Sequence, residues 1–269
     1  MIDNTDEYVA LMRRRAAGAL PDMGCALRVA DIIGEAWSSS RGQGMRLLDV
    51  GCATGHFRRT FVGRHLPIAR YVGLEIDPAM VRVGSEVWRS EIEDGTVRFV
   101  NADLEAYESD EAFDVVICVN AFMYFASAKR ALRNLLRAAR GGRLFVRSYF
   151  MDANYRIIRA QTALNHDKSV LSELDVFDDD GEICCYDFWS IYSQTYIELL
   201  VAQLAPGARV TWLEDNNVLS SLQHERELAV QKRGATEVLN EHEVSYPFIL
   251  PWKYLAVDMT GQHAGSATR

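Results

Sequence analysis

The residues best suited to chemistry lie where two apolar runs end. The segment Leu47-Leu48-Asp49-Val50-Gly51-Cys52-Ala53-Thr54-Gly55 is an apolar run, then a turn of small residues, then the start of a helical pattern. Small residues at such a turn let the backbone approach a ligand that longer side chains would block. Taken alone, this is equally a plain tight strand-to-helix connection. The next apolar run ends in Gly73-Leu74-Glu75-Ile76-Asp77-Pro78. A carboxylate at a strand tip accepts two hydrogen bonds from a ribose diol, and that role falls to Glu75. Ile76 beside it suits one face of an adenine ring, and Pro78 suits the first turn of the following helix. Asp49 and Asp114, each taken singly, read as well as solvated carboxylates at strand ends.

The elements that must position these residues are legible as alternating patterns. MRLLDV, RYVGLEI, VRFV, FDVVICV and RLFVRSYF are short runs rich in branched apolar residues. Between them lie the helical stretches HFRRTFVGRHL, PAMVRVGSEVWRSEI and AKRALRNLLRAAR. This rhythm predicts βαβ units around a buried parallel sheet. Ahead of it, residues 6–17 and 24–37 read as two helices separated from the sheet by SSSRGQG. After Phe150 the rhythm changes. Residues 151–190 form an insertion, with a helical stretch NYRIIRAQTALN, an acidic turn FDDDGE and an aromatic run CCYDFW. Ser193 is placed to cap a helix running to Leu204, with ARVTWLED and KYLAVDM as the last strands. Residues 217–252 form a second insertion. It contains a charged helical stretch over 223–240 and the segment SYPFILPW, whose prolines forbid ordinary central-strand pairing.

Composition narrows the function classes. The chain has 269 residues, 49% hydrophobic and 25% charged, which suffices for one sizeable core with embellishments. Its 29 basic against 37 acidic residues give a net charge of -8, which repels a phosphate backbone. No apolar run approaches a membrane span or a signal core, so a cytoplasmic protein is expected. Among the 5 cysteines, Cys25, Cys52 and Cys118 fall in apolar segments and read as reduced thiols, with the adjacent Cys184 and Cys185 left ambiguous. Neither zinc-type cysteine spacing nor a calcium loop is present, the latter despite Asp178 to Asp180, so no metal site is expected.

Taken in order, D-V-G-C-A-T-G, G-L-E-I-D-P, V-N-A-D-L-E and F-D-V-V-I-C-V-N-A-F-M-Y-F resemble the successive motifs of class I S-adenosylmethionine-dependent methyltransferases, over residues 45–150. The resemblance implies a three-layer Rossmann-like α/β fold. Its sheet would be seven-stranded and mostly parallel, with an antiparallel last strand and a cap formed by the insertions. It implies a single domain over 1–269: a helical lid at 1–44, a cofactor core at 45–150, acceptor-side insertions at 151–190 and 217–252, and a flexible tail at 261–269. By the same resemblance, Asp49, Gly51, Cys52, Ala53 and Gly55 surround the methionine part of S-adenosyl-L-methionine. Glu75 and Ile76 hold the ribose and adenine, Asp103 and Leu104 meet the adenine edge, and Asn120 borders the methionine moiety and its methyl. Ala53 stands where the family usually has glycine, which asks for a backbone angle that alanine can adopt.

Methyl transfer from a sulfonium is an in-line displacement with an excellent leaving group, so alignment of the acceptor and exclusion of water are the main requirements. A general base is needed only for an acceptor protonated at working pH. The ligand crevice of an open α/β sheet lies past the carboxyl ends of its strands, which brings forward Tyr124 and Tyr149, with His166 as an acceptor-side base. For each tyrosine a structural role at the core or rim is the plain alternative. His56 begins a helix and should point away from the acceptor. Aromatic-rich insertions favour an enclosed site, hence methylation of an oxygen or nitrogen of a small-molecule metabolite, in natural-product biosynthesis for example, with S-adenosyl-L-homocysteine as product. Neither nucleic acid nor membrane is expected as a partner, and a homodimer is compatible. The rival readings are an RNA or protein methyltransferase, a nicotinamide-binding oxidoreductase, and a cofactor-binding protein without catalysis. The nicotinamide reading wants a third glycine of G-x-G-x-x-G where Phe57 stands.

Overall fold

The computed structural model describes residues 6–37, 44–159, 187–215, 236–239, 242–245, 248–249 and 252–261. Helices α1 (Asp6–Ala16) and α2 (Gly24–Ala36) precede the sheet. Then come β1 (Met45–Val50), α3 (His56–Gly63), β2 (Ile68–Glu75), α4 (Pro78–Val87), α5 (Arg89–Glu93), β3 (Val97–Asn101) and β4 (Val115–Val119). A short 3-10 turn, Phe122–Tyr124, leads to α6 (Ala128–Ala138) and β5 (Arg143–Met151). The remaining elements are β6 (Tyr155–Arg159), β7 (Asp187–Ser193), α7 (Gln194–Leu204), β8 (Arg209–Glu214), β9 (Thr236–Leu239), β10 (His242–Ser245), β11 (Phe248–Ile249) and β12 (Trp252–Asp258).

The main sheet runs β3-β2-β1-β4-β5-β12-β8. Its first five strands are parallel, and β12 inserts antiparallel between β5 and β8. Strand order therefore reverses between β1 and β4, and the ligand crevice of such sheets opens at that switch point, beyond the carboxyl ends of the strands. Gly51 and Asn120 stand there. Alternation along each strand makes the three layers. Leu48, Val50, Val72, Val116, Leu144 and Leu255 bury against α6 and α7 on one face. Leu47, Tyr71, Ile117, Phe145 and Tyr254 bury against α2 and α3 on the other. Each such side chain contributes about 1.5–3 kcal/mol.

Local chemistry starts the helices. Asp77 accepts the Ala79 N–H at 2.7 Å with Pro78 in the first turn of α4, Ser127 accepts the Arg130 N–H ahead of α6, and Ser193 accepts the Tyr196 N–H ahead of α7. On α6, Ala131, Leu132, Leu135 and Leu136 face the core, while Lys129, Arg130, Arg133 and Arg137 face outward, a spacing the sequence displays directly.

Three expectations are corrected. The sheet has nine strands, because β7 joins the end of β5 in parallel and β6 pairs antiparallel with β7. Tyr155–Arg159, expected as helix, is β6: its adjacent Ile157 and Ile158 favour extended backbone once β7 supplies a partner. Thr236–Leu239, expected at the end of a charged helix, is β9 in a separate three-stranded sheet, where Thr236 and Val238 again carry the β preference. The rest of that helix, like the stretch 160–186, lies outside the described residues. SYPFILPW contributes β11 at the edge of the small sheet, as its prolines require.

Gly73, opposite Asp49, has no room for a side chain: a Cβ there would lie 2.6 Å from the Cys52 sulfur and 2.9 Å from the Phe99 ring. Gly73→Ala should lower stability by about 1–3 kcal/mol through overpacking beneath the first turn. Urea unfolding checks this, and an unchanged midpoint would mean that Cys52 and Phe99 have room to retreat.

Candidate cofactor and acceptor site

The turn after β1 is built from left-handed backbone. Gly51, Ala53 and Gly55 have φ of 72°, 49° and 70°. Ala53 thus adopts the angle expected where the family usually has glycine. At Gly51 a Cβ would lie 2.5 Å from the Cβ of Ala121, so the turns after β1 and β4 come within van der Waals contact only because Gly51 has no side chain. Its own N–H and that of Cys52 both donate to the Leu74 carbonyl, which docks the turn onto β2.

Glu75 ends β2 and is 9% exposed. One carboxylate oxygen accepts the Ala53 N–H at 2.8 Å and the other the Asp77 N–H at 3.0 Å. Burial pushes its pKa up, and the backbone N–H groups of Asp77, Ala53 and Ile76 hold it back. Each oxygen keeps lone-pair capacity for a ribose hydroxyl. Beside it Ile76 is 60% exposed, an apolar side chain left in the open where a base would cover it. Asp103 accepts the Glu105 N–H at 2.9 Å and starts a turn at the end of β3. The Leu104 side chain packs in the core, and its carbonyl accepts from the Asn134 amide at 2.8 Å. The residues expected to hold a nucleoside are therefore together at one end of the sheet.

Asn120 has a left-handed φ of 61°, a conformation asparagine tolerates better than most residues. Its side chain is held by groups that the motifs do not show. Arg147 donates to its carboxamide oxygen, and its amide donates to the Cys25 sulfur at 3.7 Å. Arg147 also donates to Asp215 at 2.6 Å and lies 3.8 Å above the Trp252 ring. Arg147, Asp215 and Cys25, which fix Asn120 at the candidate site, are the residues that sequence reading missed. The available signal was an arginine at an apolar position of RLFVRSYF.

Tyr149 is buried, with its ring centroid 4.0 Å from that of Trp252 and 6.2 Å from that of Trp189. Met123 and Ile191 complete this cluster, and Tyr124 packs against it. His166 lies outside the described residues, as do Cys184 and Cys185. His56 is kept uncharged, its pKa lowered to about 3 by burial and then by the charge of Arg15. It lies within reach of the Arg15 charge on α1. No metal-binding group of histidine, cysteine and acidic side chains occurs among the described residues. Cys25, Cys52 and Cys118 are buried free thiols.

Asp49 is buried beneath the turn and accepts the Tyr71 hydroxyl at 2.6 Å. Burial raises its pKa from 3.8 to about 7, opposed by the Tyr71 hydrogen bond and aided by the Glu75 charge. The folded state thus keeps a proton that the unfolded chain releases. That stabilising contribution is complete below pH 4 and lost as pH rises through about 7. Asp49→Asn, which still accepts from Tyr71, should be more stable than the parent at pH 8 by up to about 2–4 kcal/mol, with the advantage vanishing towards pH 4. Urea unfolding of both proteins across this range decides it; a difference independent of pH would place the carboxylate in water.

A family model described as a methyltransferase domain matches residues 48–146, the stretch that carries the turn, Glu75, Asp103 and Asn120. The O-methyltransferase rstn1 of Aspergillus nomiae is 30% identical over 128 residues, 47% of this chain and 55% of that protein. The ubiquinone/menaquinone biosynthesis C-methyltransferase UbiE of Idiomarina loihiensis is 32% identical over 106 residues, 39% of this chain and 42% of that one. The chain thus spans about half the length of these curated relatives. Among solved structures, phosphoethanolamine N-methyltransferase 2 of Haemonchus contortus has a TM-score of 0.61 at 16% identity, covering 96% of this chain and 58% of its own. CalS10, an amino pentose methyltransferase from Micromonospora echinaspora, has a TM-score of 0.53 at 18% identity, covering 94% and 96%. The [4+2]-cyclase SpnF has a TM-score of 0.55 at 19% identity, covering 86% and 80%. At these identities the structural likenesses speak for the fold, and the sequence match speaks for the motifs that the fold brings together at the β1–β4 switch point. Residues 48–146 thus match a methyltransferase domain, within a fold shared with S-adenosylmethionine-dependent methyltransferases.

Proposed function

We propose that the protein binds S-adenosyl-L-methionine and transfers its methyl group to an oxygen or nitrogen of a small-molecule metabolite, leaving S-adenosyl-L-homocysteine. The observation that carries this reading is the Glu75 carboxylate, fixed by two backbone N–H groups between the left-handed turn and the exposed Ile76. Gly51, Cys52, Ala53 and Gly55 would border the amino-acid part, Glu75 the ribose, and Ile76, Asp103 and Leu104 the base. The bound sulfonium supplies an electrophilic methyl; the chain's own work is to orient an acceptor and keep water out.

The small-molecule reading is supported by the aromatic cluster Tyr149, Trp189 and Trp252 beside Asn120, at the end of the sheet where both insertions begin. An apolar wall with few polar groups suits an enclosed acceptor. A net charge of -8 disfavours nucleic acid, and no described helix is long and apolar enough to cross a membrane. The relatives' own names include O- and C-methyltransferases, and CalS10 is described as acting in calicheamicin biosynthesis, so natural-product methylation is the setting we favour. To Tyr124, Tyr149 and, from the sequence alone, His166 we assign the task of meeting the acceptor or taking its proton.

Calorimetry should show micromolar binding of S-adenosyl-L-methionine or its demethylated product, about -8 kcal/mol. Glu75→Ala should weaken that binding by about 1.5–3 kcal/mol with the fold retained, since it removes charge-assisted hydrogen bonds. Binding of NAD with no heat from either adenosyl ligand would reverse the assignment. Mass spectrometry of a metabolite extract incubated with enzyme and cofactor then identifies the acceptor. With that acceptor in hand, Tyr124→Phe, Tyr149→Phe and His166→Ala should reduce kcat or raise the acceptor KM while cofactor affinity stays within about twofold. Three variants that turn over like the parent would remove these residues from the acceptor site.

A further inference from the structure

The most buried ion pair among the described residues joins Arg147 on β5 to Asp215, the residue after β8, with side chains 5% and 1% exposed. Arg147 lies level with Val119, the last residue of β4, and grips the next residue twice. Its carbonyl accepts the Asn120 N–H at 3.0 Å, and its guanidinium donates to the Asn120 carboxamide oxygen. Asn120 carries left-handed backbone, and Ala121 beside it meets Gly51 of the turn after β1. The planar fork of an arginine reaches Asn120 and Asp215 at once, with Trp252 covering its face. The fold itself does not need a charge here, because a buried ion pair is often no more stabilising than apolar side chains of the same volume.

The order of the strands says what the pair faces. Asp103 and Glu75 stand at the ends of β3 and β2, the left-handed turn follows β1, and Asn120 and Arg147 come next on β4 and β5. Neighbouring strands lie about 4.8 Å apart, so a ligand whose base and ribose occupy the first two tips carries its sulfur towards the β1–β4 switch point. There a bare guanidinium on the adjoining strand would repel a sulfonium, since charges held out of water are weakly screened. Asp215 removes that repulsion while leaving the arginine in place as a donor to Asn120.

We propose that Asp215 is the counter-ion that lets Arg147 position Asn120 beside a bound sulfonium, so that the pair sets the preference of the site for S-adenosyl-L-methionine over S-adenosyl-L-homocysteine. The proposal rests on the cofactor reading above and gives a role to two residues outside the matched stretch 48–146. Arg147 is a positioning residue that acts through Asn120, and Asp215 acts through its charge. The two ligands differ by one methyl and one positive charge at sulfur, so the ratio of their affinities reads the field at that atom. A change in packing alone has no reason to follow the sign of an added or removed charge.

Calorimetry on the full chain with each ligand tests this without an acceptor. Asp215→Asn leaves the guanidinium uncompensated and should lower the affinity for S-adenosyl-L-methionine, relative to that for S-adenosyl-L-homocysteine, by about 5- to 30-fold. Asn120→Asp adds an anion on the other side of Arg147, with a side chain that also tolerates left-handed backbone, and should raise the same ratio by about 5- to 30-fold. Asn120→Asp combined with Asp215→Asn moves the anion from one partner of Arg147 to the other, so the ratio should fall between those of the single variants, within about fivefold of the parent. Because it conserves the charge of the cluster, this double variant should fold whether or not Asp215→Asn does, and its comparison with Asn120→Asp is decisive by itself. A ratio unmoved by Asn120→Asp, a shift of the same sign in both single variants, a double variant no closer to the parent than Asn120→Asp, or a double variant that does not fold each overturns the proposal and leaves the pair a packing role. A parent protein that binds neither ligand defeats the cofactor reading itself, and is distinguished by failing before any variant is made.

Discussion

One carboxylate ties the working end of this protein together. Glu75 accepts backbone N–H groups from Ala53, in the turn after β1, and from Asp77, at the start of α4. Two turns that are separate in sequence are thereby held in one geometry by a group that also keeps acceptor capacity for a ligand. The left-handed angle at Ala53 depends on that anchoring, because alanine adopts such an angle only at a cost of about 1–2 kcal/mol. The Glu75 hydrogen bond to the Ala53 N–H falls at the residue that carries this strain.

The same end of the sheet concentrates buried ionisable groups. Asp49 lies under the turn, Glu75 beside it, Arg147 with Asp215 across β5, and Arg15 above. Away from this end, ion pairs such as Glu111 with Arg46, Arg70 and Arg98 are partly exposed to solvent and contribute little each. Buried charges are costly unless paired, so their clustering marks where the fold gives up stability for binding. The fold does not by itself choose the reaction: SpnF, a [4+2]-cyclase, shares it with the methyltransferases.

What could be read from the sequence follows physical range. Strands β1 to β5 announce themselves by branched apolar runs, and Asp77, Ser127 and Ser193 mark helix starts, because these signals act within a few residues. Glu75 and Ile76 were legible because a strand tip fixes where they stand. Arg147 was not, since its partner Asp215 is distant in the chain and meets it only through the pairing of β12 with both β5 and β8. Arg15 sits in a run, Arg13 to Arg15, that looks like a solvated face, and only the packing of α1 onto α3 buries one of the three. Tyr155–Arg159 reads as helix until β7 offers its edge, a choice that no local propensity records.

Asp215 and Trp252 flank the second insertion, and both close on Arg147: one by an ion pair, the other by a ring 3.8 Å from the guanidinium. The two ends of the segment between them are therefore held beside each other by one side chain of the central sheet. Closing such a loop depends only weakly on its length, about 0.6 kcal/mol for each doubling. With both ends held in this way, a change in the length of that segment should cost the strands that carry the cofactor turn little. The clamp at its base thereby uncouples the second insertion from the cofactor turn, since Arg147 keeps both of its ends in register whatever lies between.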